Sequence, residues 1–185
     1  MLQSIARLIL KTLGWRLLDP ADRPARMLVV AYPHTSNWDA LYALLAGLSL
    51  GLRANWAAKD SLFFWPLGGL LKRLGGIPVN RRQRTGFVEQ MVERFNSDER
   101  CMLIMAPEGT RRRTEGWKTG FYRIATAAQA PIALGCLDYA RREAGILAYL
   151  TLSGDPQADI AGIASLYAGR SGKRPKLAAP VCWLD

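Results

Sequence analysis

MLVVAYPHTSNWDALYALLAGLSL, residues 27–50, decides the fold class. Residues 27–31 are a short unbroken apolar run of the kind a buried strand makes, and Tyr32-Pro33-His34-Thr35-Ser36-Asn37 is a polar turn. Trp38 to Leu50 is apolar over a helical length, with Ser36 or Asn37 as its natural N-cap. Strand, turn and helix in that order form the repeating unit of parallel sheets, and the alternation continues outward. Strands are expected at 53–58, 77–79, 101–105, 131–137 and 146–152. Helices are expected at 61–74, interrupted at Pro66 and Gly68-Gly69, and at 87–96, 121–130 and 159–168. The expected class is α/β: a single domain over 1–185, with a largely parallel sheet flanked by helices. No internal repeat or linker divides it.

Before this unit, Leu2, Ile5, Leu8, Ile9, Leu13, Leu17 and Leu18 recur at helical spacing with Arg7, Lys11 and Arg16 between them. A basic amphipathic helix is expected over 1–18, either packed on the domain or lying on a membrane surface. The charged residues also stop any stretch from reaching the roughly 20 apolar residues that span a bilayer. No cleavable secretory signal is apparent, so a cytoplasmic location is expected.

With 185 residues, half of them hydrophobic and 22% charged, the chain is long and apolar enough to bury a core, which excludes disorder and collagen-like repeats. Cys101, Cys136 and Cys182 are widely spaced and there is a single His, so neither a disulfide framework nor a zinc site is expected, and no metal. Lys plus Arg number 25 against 15 Asp plus Glu, a net +10 that calls for an anionic partner. Nucleic acid, an anionic membrane surface and a phosphorylated substrate all satisfy that requirement.

Candidate chemistry gathers at the carboxyl ends of the expected strands, where ligand sites of open α/β sheets lie. His34, the lone histidine, is in the turn after the first of them, and Asp39 follows at the start of the helix. The pair either caps a turn or sets a carboxylate on one imidazole nitrogen so that the other serves as a general base. A second polar turn, Ala106-Pro107-Glu108-Gly109-Thr110-Arg111, continues into Arg112 and Arg113, and a third stretch runs Gly75-Gly76-Ile77-Pro78-Val79-Asn80-Arg81-Arg82. Each arginine cluster is either a solvated basic edge or a phosphate site, in which Gly lets the backbone approach and Arg makes paired hydrogen bonds.

In order and spacing, His34-x4-Asp39, Gly76-Ile77-x-x-Asn80-Arg81, Pro107-Glu108-Gly109-Thr110-Arg111 and Ala130-Pro131-Ile132 resemble the four blocks of the glycerolipid acyltransferases, the 1-acylglycerol-3-phosphate acyltransferase family. His34-Thr35-Ser36-Asn37-Trp38-Asp39 together with Lys59-Asp60-Ser61-Leu62-Phe63 is similar to a short bacterial branch. The motif-bearing core is 27–137. In the family the third block usually opens on an aromatic residue and carries Ser after its Arg, where this chain has Ala106 and Arg112, and Pro33 stands where Asn is common.

The resemblance implies a mixed sheet wrapped by helices and acyl transfer from a thioester, of coenzyme A or acyl carrier protein as co-substrate, to a lysolipid hydroxyl, with no further cofactor. It also implies peripheral membrane association, with His34 as general base and Asp39 as its orienting partner. Arg81, Glu108, Gly109, Thr110 and Arg111 would hold the acceptor's polar head, and Pro131 would shape the acyl side. The alternative is a non-catalytic basic domain that binds lipid or nucleic acid. Two stretches stay outside the motifs. Residues 62–73, apolar with a Lys72-Arg73 rim, are either an insertion surface or core, and 155–185, with Lys173, Arg174 and Lys176, has no assigned chemistry.

Overall fold

The computed structural model describes residues 1–52, 55–73, 75–79, 86–97 and 101–184. Among them are the strands β1 (Arg16–Leu18), β2 (Met27–Tyr32), β3 (Asn55–Lys59), β4 (Gly76–Val79), β5 (Met102–Met105), β6 (Ile132–Asp138) and β7 (Glu143–Leu150). The helices are α1 (Leu2–Thr12), α2 (Trp38–Ser49), α3 (Leu67–Arg73), α4 (Phe87–Asn96), α5 (Gly120–Ala127) and α6 (Pro156–Tyr167). The strands form one sheet in the order β1-β7-β6-β2-β5-β3-β4. Every pairing is parallel except the β6–β7 hairpin. The expected α/β class, with its largely parallel sheet, is the fold observed.

The run that decided the fold class becomes the central strand. Leu28 and Val30 of β2 belong to one apolar cluster with Phe95, Phe121 and Ile163, while Met27 and Val29 belong to another with Ala133 and Ile146. Successive side chains of a strand point to opposite faces, so β2 is buried on both and reads as continuous apolar sequence instead of alternating. Toward the β1 edge, Leu10 of α1, Trp15 and Ala46 of α2 close a further cluster with Leu137 and Ala144.

Several elements depart from expectation. The N-terminal helix ends at Thr12, not at residue 18, because Gly14 takes φ +75 and turns the chain out of the helix. Residues 16–18 then pair with β7 as a parallel edge strand, fixed by an ion pair between Arg16 and Glu143. The helix expected over 61–74, interrupted at Pro66 and Gly68-Gly69, is a short 3-10 turn, Asp60–Leu62, and α3 from Leu67; the break falls at Pro66, which cannot donate a backbone hydrogen bond in a continuing helix, while Gly68-Gly69 lie within α3. The last strand begins at Glu143 and runs antiparallel to β6. Past α6 the chain forms a strap with one 3-10 turn, Pro175–Leu177, and rejoins the body where Trp183 bridges to Trp117.

Register fixes where a site can form. Val30 pairs with Met105 and Tyr32 with Cys136, so the loops after β2, β5 and β6 emerge side by side at one end of the sheet. Each ladder places its next residues, Pro33-His34, Ala106-Pro107-Glu108 and Tyr139, at that same edge.

Candidate active site

His34 and Asp39 meet there. The turn after β2 brings the Asp39 Oδ2 to 3.3 Å from His34 Nδ1, and the same oxygen accepts the backbone N–H groups of Thr35 at 2.7 Å and Ser36 at 2.8 Å. Its other oxygen accepts the Tyr139 hydroxyl at 2.8 Å. Asp39 is 2% exposed, and burial alone would raise its carboxyl; the hydrogen bonds from His34, Ser36, Tyr139 and Thr35 outweigh that and hold it below the ordinary carboxylate range. It is therefore an anion at neutral pH, and an anion only accepts. The carboxylate favours the neutral tautomer with its proton on the Nδ1 facing it, the tautomer in which Nε2 is the acceptor. Burial, and then the bond to Asp39, push the Tyr139 phenol up, so that it stays a donor. The sequence-expected pairing of His34 with Asp39 is thus realised in the geometry, on a turn braced by backbone donors.

Glu108 lies inside the site, not on its rim. Its Oε2 accepts the His34 backbone N–H at 2.7 Å and its Oε1 the Ala179 N–H at 3.0 Å, and the residue is 1% exposed. Burial pushes its carboxyl up, offset only in part by the bonds from Ala179 and His34. With both oxygens occupied by backbone donors, its carboxylate braces the His34 turn and does not face an incoming head group. Gly109, Thr110 and Arg111 follow on the open side of the turn, with Arg111, Arg112 and Arg113 exposed. The amine of Lys118 lies across this turn, close enough that a Cβ at Gly109 would meet it at 3.1 Å. Arg81 lies outside the described residues.

Pro131 is elsewhere. It precedes β6, where its carbonyl accepts Leu28 N–H at 3.0 Å, at the amino end of the strands whose carboxyl ends carry His34. Six residues of rise at ~3.3 Å separate Leu28 from the level of His34, roughly 20 Å. Pro131 thus starts a central strand at the end of the sheet opposite His34, and its shaping of the acyl side stays what the resemblance implies.

Sequence reasoning missed Tyr139 and the strap. Tyr139 is the second residue beyond the strand expected at 131–137, so the strand-end rule that singled out the other turns would have found it. The strap carries no motif, yet Arg174 N–H donates to Thr35 Oγ1 at 3.2 Å and Ala179 closes over Glu108.

A buried carboxylate against a half-buried imidazole, at the carboxyl ends of a parallel sheet and beside an open basic turn, is an arrangement that suits general-base chemistry. Comparison with known proteins narrows the class. The family model described as Acyltransferase matches residues 18–133, more than half of the chain, and the chain belongs to that family. Among solved structures it is similar in fold to the 1-acyl-sn-glycerophosphate (LPA) acyltransferase PlsC of Thermotoga maritima, with a TM-score of 0.55 and 18% identity, covering 92% of this chain and 80% of that one. No curated protein sequence matches significantly.

Proposed function

We propose that this acyltransferase moves an acyl group from a thioester of coenzyme A or acyl carrier protein to the hydroxyl of a lysophospholipid or related glycerolipid. The single observation that carries the mechanism is the 3.3 Å contact of His34 Nδ1 with an Asp39 already held by three other donors. Nε2 takes the acceptor's hydroxyl proton as its oxygen attacks the thioester carbonyl. Asp39 stabilises the imidazolium that forms. The tetrahedral intermediate collapses with cleavage of the carbon–sulfur bond, and the proton passes from imidazolium to the leaving thiolate. A thioester is already activated, so positioning and one base supply most of what is needed; the base contributes about 10²- to 10⁴-fold.

The Gly109-Thr110-Arg111 turn, with Arg81, takes the acceptor's polar head. Our reading puts the reaction at the surface of a membrane, on its cytoplasmic face, with the protein peripheral to it. What supports a membrane contact is the surface: Leu2, Ile5, Leu8 and Ile9 of α1 are exposed, with Arg7 and Lys11 on the same helix, and Trp38, Leu41 and Leu44 of α2 are exposed, beginning at the residue before Asp39. Phe64, Trp65 and Leu70 add a second exposed apolar group. Among the described residues no helix is long and apolar enough to cross a membrane.

The test is release of free thiol from long-chain acyl-coenzyme A and from acylated carrier protein, each against a panel of lysolipids. Thiol release that requires one acceptor class is expected, and it names donor and acceptor together. Tight binding to nucleic acid with no thioester consumed under any pairing would overturn the reading.

A further inference from the structure

The strap that follows α6 touches all three loops of the site. At its start the Arg170 guanidinium pairs with the buried Glu143 and lies 3.5 Å from the buried Asp138. Ser171 O accepts Tyr139 N–H at 2.8 Å, Arg174 N–H donates to Thr35 Oγ1 at 3.2 Å, and Ala179 N–H donates to Glu108 at 3.0 Å while its carbonyl accepts the Tyr32 hydroxyl at 2.8 Å. Gly172 is packed so closely that a Cβ there would meet Thr35 Oγ1 at 2.7 Å and Pro33 Cβ at 3.1 Å, the residues on either side of His34. Ordering such a segment costs conformational entropy, and these ties hold it in a single path.

That path carries the Lys173 side chain to the rings beside Asp39. Lys173 Nζ stands 4.6 Å from the Trp38 ring centroid and 5.9 Å from that of Tyr139. Trp38 is the residue before Asp39, and the Tyr139 hydroxyl is bonded to Asp39. The ammonium therefore stands against two residues that adjoin Asp39, one along the chain and one by a hydrogen bond. Among the described residues no carboxylate pairs with it, and its side chain is exposed. Ring faces restrain the flexible stem without consuming the N–H donors, which stay available to an anion.

We propose that Lys173 is a binding residue for a phosphate ester of a substrate, and that the strap exists to place it. This rests on the acyl-transfer reading, in which both the carrier arm of the donor and the head of a lysophospholipid carry such a group. The ammonium takes one of them and thereby orients the reacting end toward Nε2.

Two arms test it on the full chain as wild type, Lys173→Gln and Lys173→Arg. In the first, glycerol 3-phosphate and pantetheine 4′-phosphate are titrated calorimetrically. Wild type is expected to bind at least one, Lys173→Gln to bind it about tenfold or more weakly, and Lys173→Arg to stay within about threefold. In the second, steady-state kinetics are expected to show the loss in KM for the matching substrate, lysolipid or thioester, with kcat little changed. Which KM moves identifies whose phosphate is bound. Failure of wild type to bind either ester, or equal binding by Lys173→Gln, overturns the proposal. Absence of acyl transfer by wild type overturns the proposed function instead, and the calorimetric arm still decides Lys173.

Discussion

At the residue scale, Asp39 is held in place because it is saturated with donors. Four groups converge on its two oxygens, so the carboxylate cannot rotate away from His34. Asp39→Asn keeps the size but places an amide NH2 against donors, and the imidazole loses its orienting anion. We expect kcat to fall by about 10²- to 10⁴-fold, read in the thiol-release assay. The same carboxylate shapes stability against pH. Its folded value lies below the ordinary 3.8, so its contribution is complete above that value and is lost as pH falls through the folded one. Tyr139→Phe removes one of the bonds that lower it. That variant is expected to lose about 1 kcal/mol at neutral pH and to show its acid-unfolding midpoint shifted upward, measured by circular dichroism against pH. Glu108 acts with the opposite sign, since burial raises its value and ionisation there costs stability as pH rises through it.

At the element scale, the site is a meeting of loops whose places are set by β2, β5 and β6. Much of this was legible. The apolar run at 27–31 had to be a two-face-buried strand, and a polar turn with a lone His at its carboxyl end stood out against it. The two turns with His34 and Glu108 were likewise visible, but the direction of Glu108 was not. A carboxylate in a basic turn reads as surface chemistry until the fold lays the Ala179 and His34 N–H groups over it. The strap was illegible for a related reason: its contacts are backbone N–H and C=O groups, which leave no side-chain signature, and only Gly172 marks the close approach. Gly172→Ala is expected to destabilise by about 1–3 kcal/mol, because the Cβ would sit 2.7 Å from Thr35 Oγ1, and to lower acyl transfer more than thermal stability alone explains. Thermal melting beside the transfer assay at a temperature where the variant is folded checks both parts. The misread N-terminal helix has a simpler cause, since Leu17 and Leu18 fit a helical period as well as an edge strand, and Gly14 alone distinguished them.

For the whole molecule, net charge and apolar exposure act together. A chain at +10 with exposed leucines and isoleucines on α1 has the surface that the proposed membrane contact calls for. Leu8, 61% exposed, makes the test local: Leu8→Asp is expected to leave thermal stability within about 0.5 kcal/mol while sharply weakening sedimentation with vesicles that contain anionic phospholipid. Equal sedimentation of variant and wild type would remove α1 from the membrane contact. The central claim is narrower than the membrane and rests on one side chain. The measurement that reaches it most directly is acceptor-dependent thiol release by His34→Ala, with folding confirmed by circular dichroism. Loss of release by about 10²-fold or more in a folded variant is the predicted result, and undiminished release would contradict His34 as the general base.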